Sequence, residues 1–85
     1  MDVLKKVRVE LRKQVSGKVM VRKDTSYPGL EQRGIFTYNV YFDNPTPIAK
    51  ETIKKVIEDN GFSSSNPRIV GGVYGYVISF TTDKE

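Results

Sequence analysis

Two groups of residues in this chain have types and spacing that could do chemistry. One is a set of tyrosines on apolar runs: Tyr41, and the pair Tyr74 and Tyr76 around Gly75. The other is a crowd of cations near the start: Lys5, Lys6, Arg8, Arg12, Lys13, Lys18, Arg22 and Lys23, opposed within residues 1–23 only by Asp2 and Glu10. Phenol rings stack on nucleic bases for about 1–3 kcal/mol each, and cations attract the phosphate backbone. The rest of the chain leans slightly acidic, so the overall charge of +4 conceals a basic end. Such an end suits polyanions, and it equally suits the solvated face of a helix.

Most catalytic chemistry lacks its residues. The 85-residue chain has no histidine and no cysteine. The usual zinc sites and the Ser-His and Cys-His nucleophile pairs cannot be assembled without them. Carboxylate-bound magnesium would need clustered acids, and none are clustered in the sequence. Asp43 and Asp24 sit at element ends, where short acids most often bond to neighbouring backbone. The expectation is a protein that is not an enzyme, with no cofactor and no metal.

The glycines of IVGGVYGYVISF, residues 69–80, do not form a phosphate loop. The pattern GGVYG is followed by a strand and not by a helix, so no helix N-terminus is offered to an anion. Gly71-Gly72 between apolar runs predicts a tight hairpin turn, because two-residue turns need positive φ. Gly75 then falls inside the second strand, where glycine marks a bulge or a close backbone approach.

The elements that must carry these residues follow from periodicity. Residues 34–43 are β-branched and aromatic and predict a strand, with Phe36, Tyr38, Val40 and Phe42 facing the core and Ile35, Thr37, Asn39 and Tyr41 facing away. Thr46 and Pro47 predict a helix start. Ile48, Ala49, Ile53, Val56 and Ile57 recur at helical spacing, Gly61 ends the helix, and Phe62 folds back toward Ile57. On its outer face Glu51–Lys55 and Lys54–Glu58 are spaced as i,i+4 ion pairs. Residues 63–67 read as a loop, Arg68–Val70 as a short strand and Val73–Thr82 as a long one. In that last strand, alternation puts Tyr74, Tyr76, Ile78 and Phe80 on one core face, unless a bulge near Gly75 separates the tyrosines from the rest.

Residues 2–16 fit two periods. Val3, Leu4, Val7, Leu11 and Val15 make one helical stripe, while odd-numbered alternation would place Lys5 and Lys13 among the apolar residues. Asp2 as a cap and Gly17 as a stop favour the helix. Lys18–Lys23 is then a strand, and residues 24–33 a loop around a Pro28-Gly29 turn. The result is an α+β domain over residues 1–85, in the order α-β-β-α-β-β. Its four-stranded, mainly antiparallel sheet carries two helices on one face; moving the leading α-β to the end gives a ferredoxin-like order.

Two short stretches resemble the motifs of RNA-recognition domains. VYFDNP at 40–45 is similar to the short motif on that family's first strand, and YGYV at 74–77 to the middle of the longer motif on its third. The resemblance implies that Tyr41, Tyr74 and Tyr76 project from the sheet and stack on bases. The sequence departs from the pattern where Gly72 and Val73 stand in place of a basic residue and a glycine. One extra residue also separates Val77 from Phe80, and the second helix and fourth strand would have to come from residues 1–23.

Two functions follow as expectations. The first is a nucleic-acid-binding module that uses the eight cations for phosphates and Tyr41, Tyr74 and Tyr76 for stacking. The second is a protein–protein module, a regulator, inhibitor or assembly subunit, that uses edge strands or an aromatic face and could homodimerise. No apolar run approaches the roughly 20 residues of a membrane helix, and MDVLKKVRVE is too charged for a signal peptide. A soluble cytoplasmic protein without a membrane partner is the default reading.

Overall fold

The structure, a computed structural model, describes residues 3–83, leaving the side chain of Val3 aside; the cap assigned to Asp2 lies outside the described residues. The chain runs α1 (Val3–Gln14), β1 (Val19–Asp24), α2 (Pro28–Gln32), β2 (Phe36–Phe42), α3 (Pro47–Asp59), β3 (Ser63–Ser64), β4 (Arg68–Ile69) and β5 (Tyr76–Thr82). It forms an α+β fold with one antiparallel sheet, ordered β1-β2-β5-β3, with β4 also paired to β5.

The helix reading of the first segment holds. A helix lets Val7, Leu11 and Val15 bury together while Lys5, Arg12 and Lys13 stay in water. Gly17, at φ +95°, turns the chain into β1. A side chain there would collide with the Asp43 carboxylate, which accepts the Lys18 backbone N–H at 2.9 Å.

Alternation on β2 also holds. Phe36, Tyr38, Val40 and Phe42 face α1 and α3, joined by Val21, Ile78 and Phe80 across the sheet. From α3 come Ala49, Ile53, Val56 and Ile57. Each fully buried aliphatic side chain of this core contributes about 1.5–3 kcal/mol through apolar burial. Thr46 Oγ1 accepts the Ala49 N–H at 3.2 Å and caps α3, with Pro47 in the first turn. Gly61, at φ +88°, ends it, and the Phe62 N–H returns to Ile57 O.

Four local expectations need correction. The loop at 24–33 contains α2, because Pro28 supplies a ready-made first helical residue and Lys23 bridges to Glu31 at 3.1 Å. Ser63 and Ser64 pair with β5 and do not form open loop. The ion pairs spaced along α3 are not made: Glu58 accepts from Ser64 Oγ and Lys54 from its Nζ reaches Asn66, in keeping with the small worth of exposed pairs. Gly71-Gly72 is not a two-residue turn. The hairpin closes at Val70 N–H to Gly75 O, 2.8 Å, around the four residues 71–74, and β5 starts only at Tyr76.

Candidate nucleic-acid interface

Gly75 decides where the tyrosines go. Its φ of +91° lies in the region that side-chain-bearing residues avoid, so the alternation resets between Tyr74 and Tyr76. Tyr76 joins the helix-covered face, stacked on Phe42 with centroids 5.5 Å apart and with Lys50 Nζ 4.7 Å over the ring. Tyr74 crosses to the other face. Its ring meets Tyr41 at 6.1 Å, tilted by 48°, and its hydroxyl points to Met20 Sδ at 3.7 Å. The shared stripe of Tyr74, Tyr76, Ile78 and Phe80 therefore does not form. The break falls before Tyr76 and not after it.

The face away from α1 and α3 is polar but closed on itself. Arg68 Nη2 donates to Ser79 Oγ at 3.1 Å, Ser79 Oγ to Asn39 Oδ1 at 2.7 Å, and Asn39 Nδ2 to Asp24 Oδ2 at 3.0 Å. Each bond spans neighbouring strands, so one donor chain runs from a guanidinium on β4 to a carboxylate on β1. Asn39 is 7% exposed and Thr37 beside it equally covered, although no helix lies above them. The Asp24 carboxyl is held below its ordinary value, chiefly by the Ser26 backbone N–H, then by the Ser26 hydroxyl and the Asn39 amide. Asp24 and Asp43 both serve backbone and neighbours, as their positions suggested.

β1 forms one edge of the sheet. The Asp43 N–H bonds Lys18 O at 3.3 Å, so antiparallel alternation turns even-numbered β1 residues toward β2 and the backbone of Val19 and Val21 outward. Arg8 Nη2 caps the Val21 carbonyl at 3.0 Å. Along this edge lies a groove of about 680 Å³, lined from α1 by Lys5, Arg8 and Arg12 and closed by Tyr74 at the sheet side. Val9 and Met20 supply apolar wall. Among the described residues no carboxylate lines it.

The eight cations are thus divided. Lys5, Arg8 and Arg12 share the groove because spacings of three and seven residues return to one flank of a helix. Lys6 and Lys13 are exposed on the outer side of α1, and Lys18 is exposed in the turn before β1. Arg22 is exposed on the face that holds Asn39, its cross-strand partner. Lys23 lies with its Nζ 4.6 Å from the Phe36 ring and bridges Glu31. Of the tyrosines, Tyr74 lines the groove, Tyr41 stands beside it and Tyr76 is on the opposite face. Sequence reasoning missed the groove itself and the Arg8–Val21 contact. The i, i+3, i+7 row of Lys5, Arg8 and Arg12 was the signal that could have selected three cations from eight.

Comparison with known proteins finds no matching family model, no matching curated protein and no matching solved structure. Among the described residues no group of three acids is placed to hold a metal ion. Nor is any described helix long and apolar enough to cross a membrane.

Proposed function

We propose that this chain is a small, non-enzymatic module that binds nucleic acid along the β1 edge. The observation that carries the reading is the groove: three cations and an aromatic ring in one recess, with no lining carboxylate among the described residues. Phosphates would sit against Lys5, Arg8 and Arg12, the arrangement that gives sequence-independent affinity. Of the three aromatics that the resemblance implies, Tyr41 on β2 and Tyr74 just before β5 come together, while Tyr76 is on the opposite face. Strand addition by a protein partner is less favoured at this edge, because Arg8 already occupies the Val21 carbonyl that an added strand would need.

Filter binding at low salt tests the reading with two triple variants of equal charge change. Lys5→Gln/Arg8→Gln/Arg12→Gln should lose most affinity, and Lys6→Gln/Lys13→Gln/Lys18→Gln should lose little. Equal losses would mean diffuse attraction without a site. Affinity weaker than about 10⁻⁴ M for every DNA and RNA would remove the reading altogether.

A second reading, the protein–protein module, has its own surface. Ile69, 87% exposed on the two-residue β4, and Val73, 72% exposed in the adjoining loop, place apolar side chains at the far end of the hairpin. Light scattering checks it: a dimer that Ile69→Ser/Val73→Ser turns into a monomer would place an interface there.

A further inference from the structure

We infer that the groove takes a single strand, with one base stacked on Tyr74, and does not accept a duplex. This rests on the nucleic-acid reading above and specifies its ligand.

The first ground is the way Tyr74 is held. Its ring is tilted against Tyr41 at 6.1 Å, and its hydroxyl contacts Met20 Sδ at 3.7 Å. The positive φ of Gly75 turns the chain between Tyr74 and Tyr76, which leaves Tyr74 on the face of Tyr41. A ring held in advance loses little rotamer freedom when a ligand arrives. Bases in a duplex have both faces stacked on their neighbours, so a ring recessed in a groove cannot reach one. A single strand can turn a base out onto it.

The second ground is the phosphate row. Lys5, Arg8 and Arg12 extend about 10 Å along α1 at the helical rise of roughly 1.5 Å per residue. That length suits two or three successive phosphates of a strand lying in the groove. Arg8 is the fixed member: one guanidinium N–H is committed to Val21 O, and the group keeps further donors for a phosphate oxygen. Bases of the same strand would then point to the sheet side, where Tyr74 and Met20 offer ring and apolar contacts.

The third ground is what a duplex would use instead. Duplexes are engaged by protruding elements that enter a groove or by convex cationic faces. The protruding side of α1 carries Lys6 and Lys13, away from Tyr74. Duplex binding there would leave the recess and its ring unused.

Fluorescence anisotropy of the whole chain with labelled 12-nucleotide oligo-dT and oligo-U, and with a DNA hairpin duplex of equal charge, tests the inference. The single strands should bind at least about tenfold more tightly, with a log–log salt slope near −2 if three phosphates are neutralised. Tyr74→Leu should weaken single-strand binding by about 5- to 100-fold, and Tyr74→Phe, which keeps the ring but loses the hydroxyl contact to Met20, should weaken it clearly less. The chain has no tryptophan and five tyrosines, so the part of the tyrosine quenching that Tyr74→Leu removes reports the stacking. Circular dichroism confirms that both variants fold. Equal binding of strand and duplex with Tyr74→Leu silent overturns the inference and leaves the broader reading standing. Equal loss in Tyr74→Phe and Tyr74→Leu overturns the stacking. Competition by polyglutamate at matched charge as strong as by oligo-dT would make the groove a plain polyanion site and overturn it as well. Binding of no nucleic acid overturns inference and reading together.

Discussion

On the helix-covered face of the sheet, Tyr76 is one more ring in a packed layer, lying on Phe42 with Lys50 above it. On the other face, Tyr74, two residues earlier, touches Tyr41 and Met20 and lines a cationic groove. The faces are stabilised differently. One excludes water with Ile53, Ile57, Val40 and Ile78, all at 0% exposure. The other covers Asn39 and Thr37 with hydrogen-bonded side chains and no overlying helix. Identical residue types therefore acquire different roles from the face they occupy. The change of face falls at Gly75, where the hairpin loop enters β5 at φ +91°.

The contrast is most exposed to test in the core. Ile53→Ala deletes a fully buried side chain between α3 and the sheet, and should cost about 2–5 kcal/mol. For a chain of this size that is a large part of the total stability. Urea unfolding followed by circular dichroism checks it; a loss below about 1 kcal/mol would mean that the helices are not seated as described.

Gly75→Ala comes next. Nothing crowds the position, so the cost is the strain of positive φ, about 1–2 kcal/mol. Gly34→Ala is the matched control, with φ +78° and equally open surroundings. Both should lower the urea midpoint by similar amounts. Only Gly75→Ala should also shift the Tyr74 ring resonances in an NMR spectrum and weaken oligonucleotide binding. If Gly34→Ala did the same, Gly75 would have no special hold on Tyr74.

The smallest effect is on pH. The folded carboxyl of Asp24 titrates below its ordinary value near 3.8. Its contribution to stability is therefore complete above that value and is lost as pH falls through the lower, folded one. The urea-midpoint difference between the wild type and Asp24→Asn should be present at pH 6 and shrink toward pH 2. A difference that stays constant would assign the effect to hydrogen-bond geometry and not to charge.

Much of the covered face was legible from local pattern. Alternation along 36–42, the Thr46 cap, the Gly61 stop and the α3 stripe of Ala49, Ile53, Val56 and Ile57 each depend on residues a few positions apart, and each is observed; Ile48, expected in that stripe, is instead 76% exposed in the first turn of α3. The groove was not legible in the same way. Its cations come from α1, its ring from the residue before β5, and their meeting depends on β1 lying at the sheet edge. The Arg68–Ser79–Asn39–Asp24 chain was hidden for the same reason: four strands must register before its polar groups can meet.

From composition and order of residues alone follow the missing histidine and cysteine chemistry, the basic leading segment, and the α+β alternation of amphipathic runs. Those are properties of neighbours along the chain, and short-range sterics and hydrophobic periodicity suffice for them. Folding in space settled that the Lys5, Arg8 and Arg12 flank of α1 meets the β1 edge and Tyr74, and that Tyr74 stands apart from Tyr76. Both outcomes depend on which surface packs against which, and on a positive φ that glycine permits but does not by its presence require.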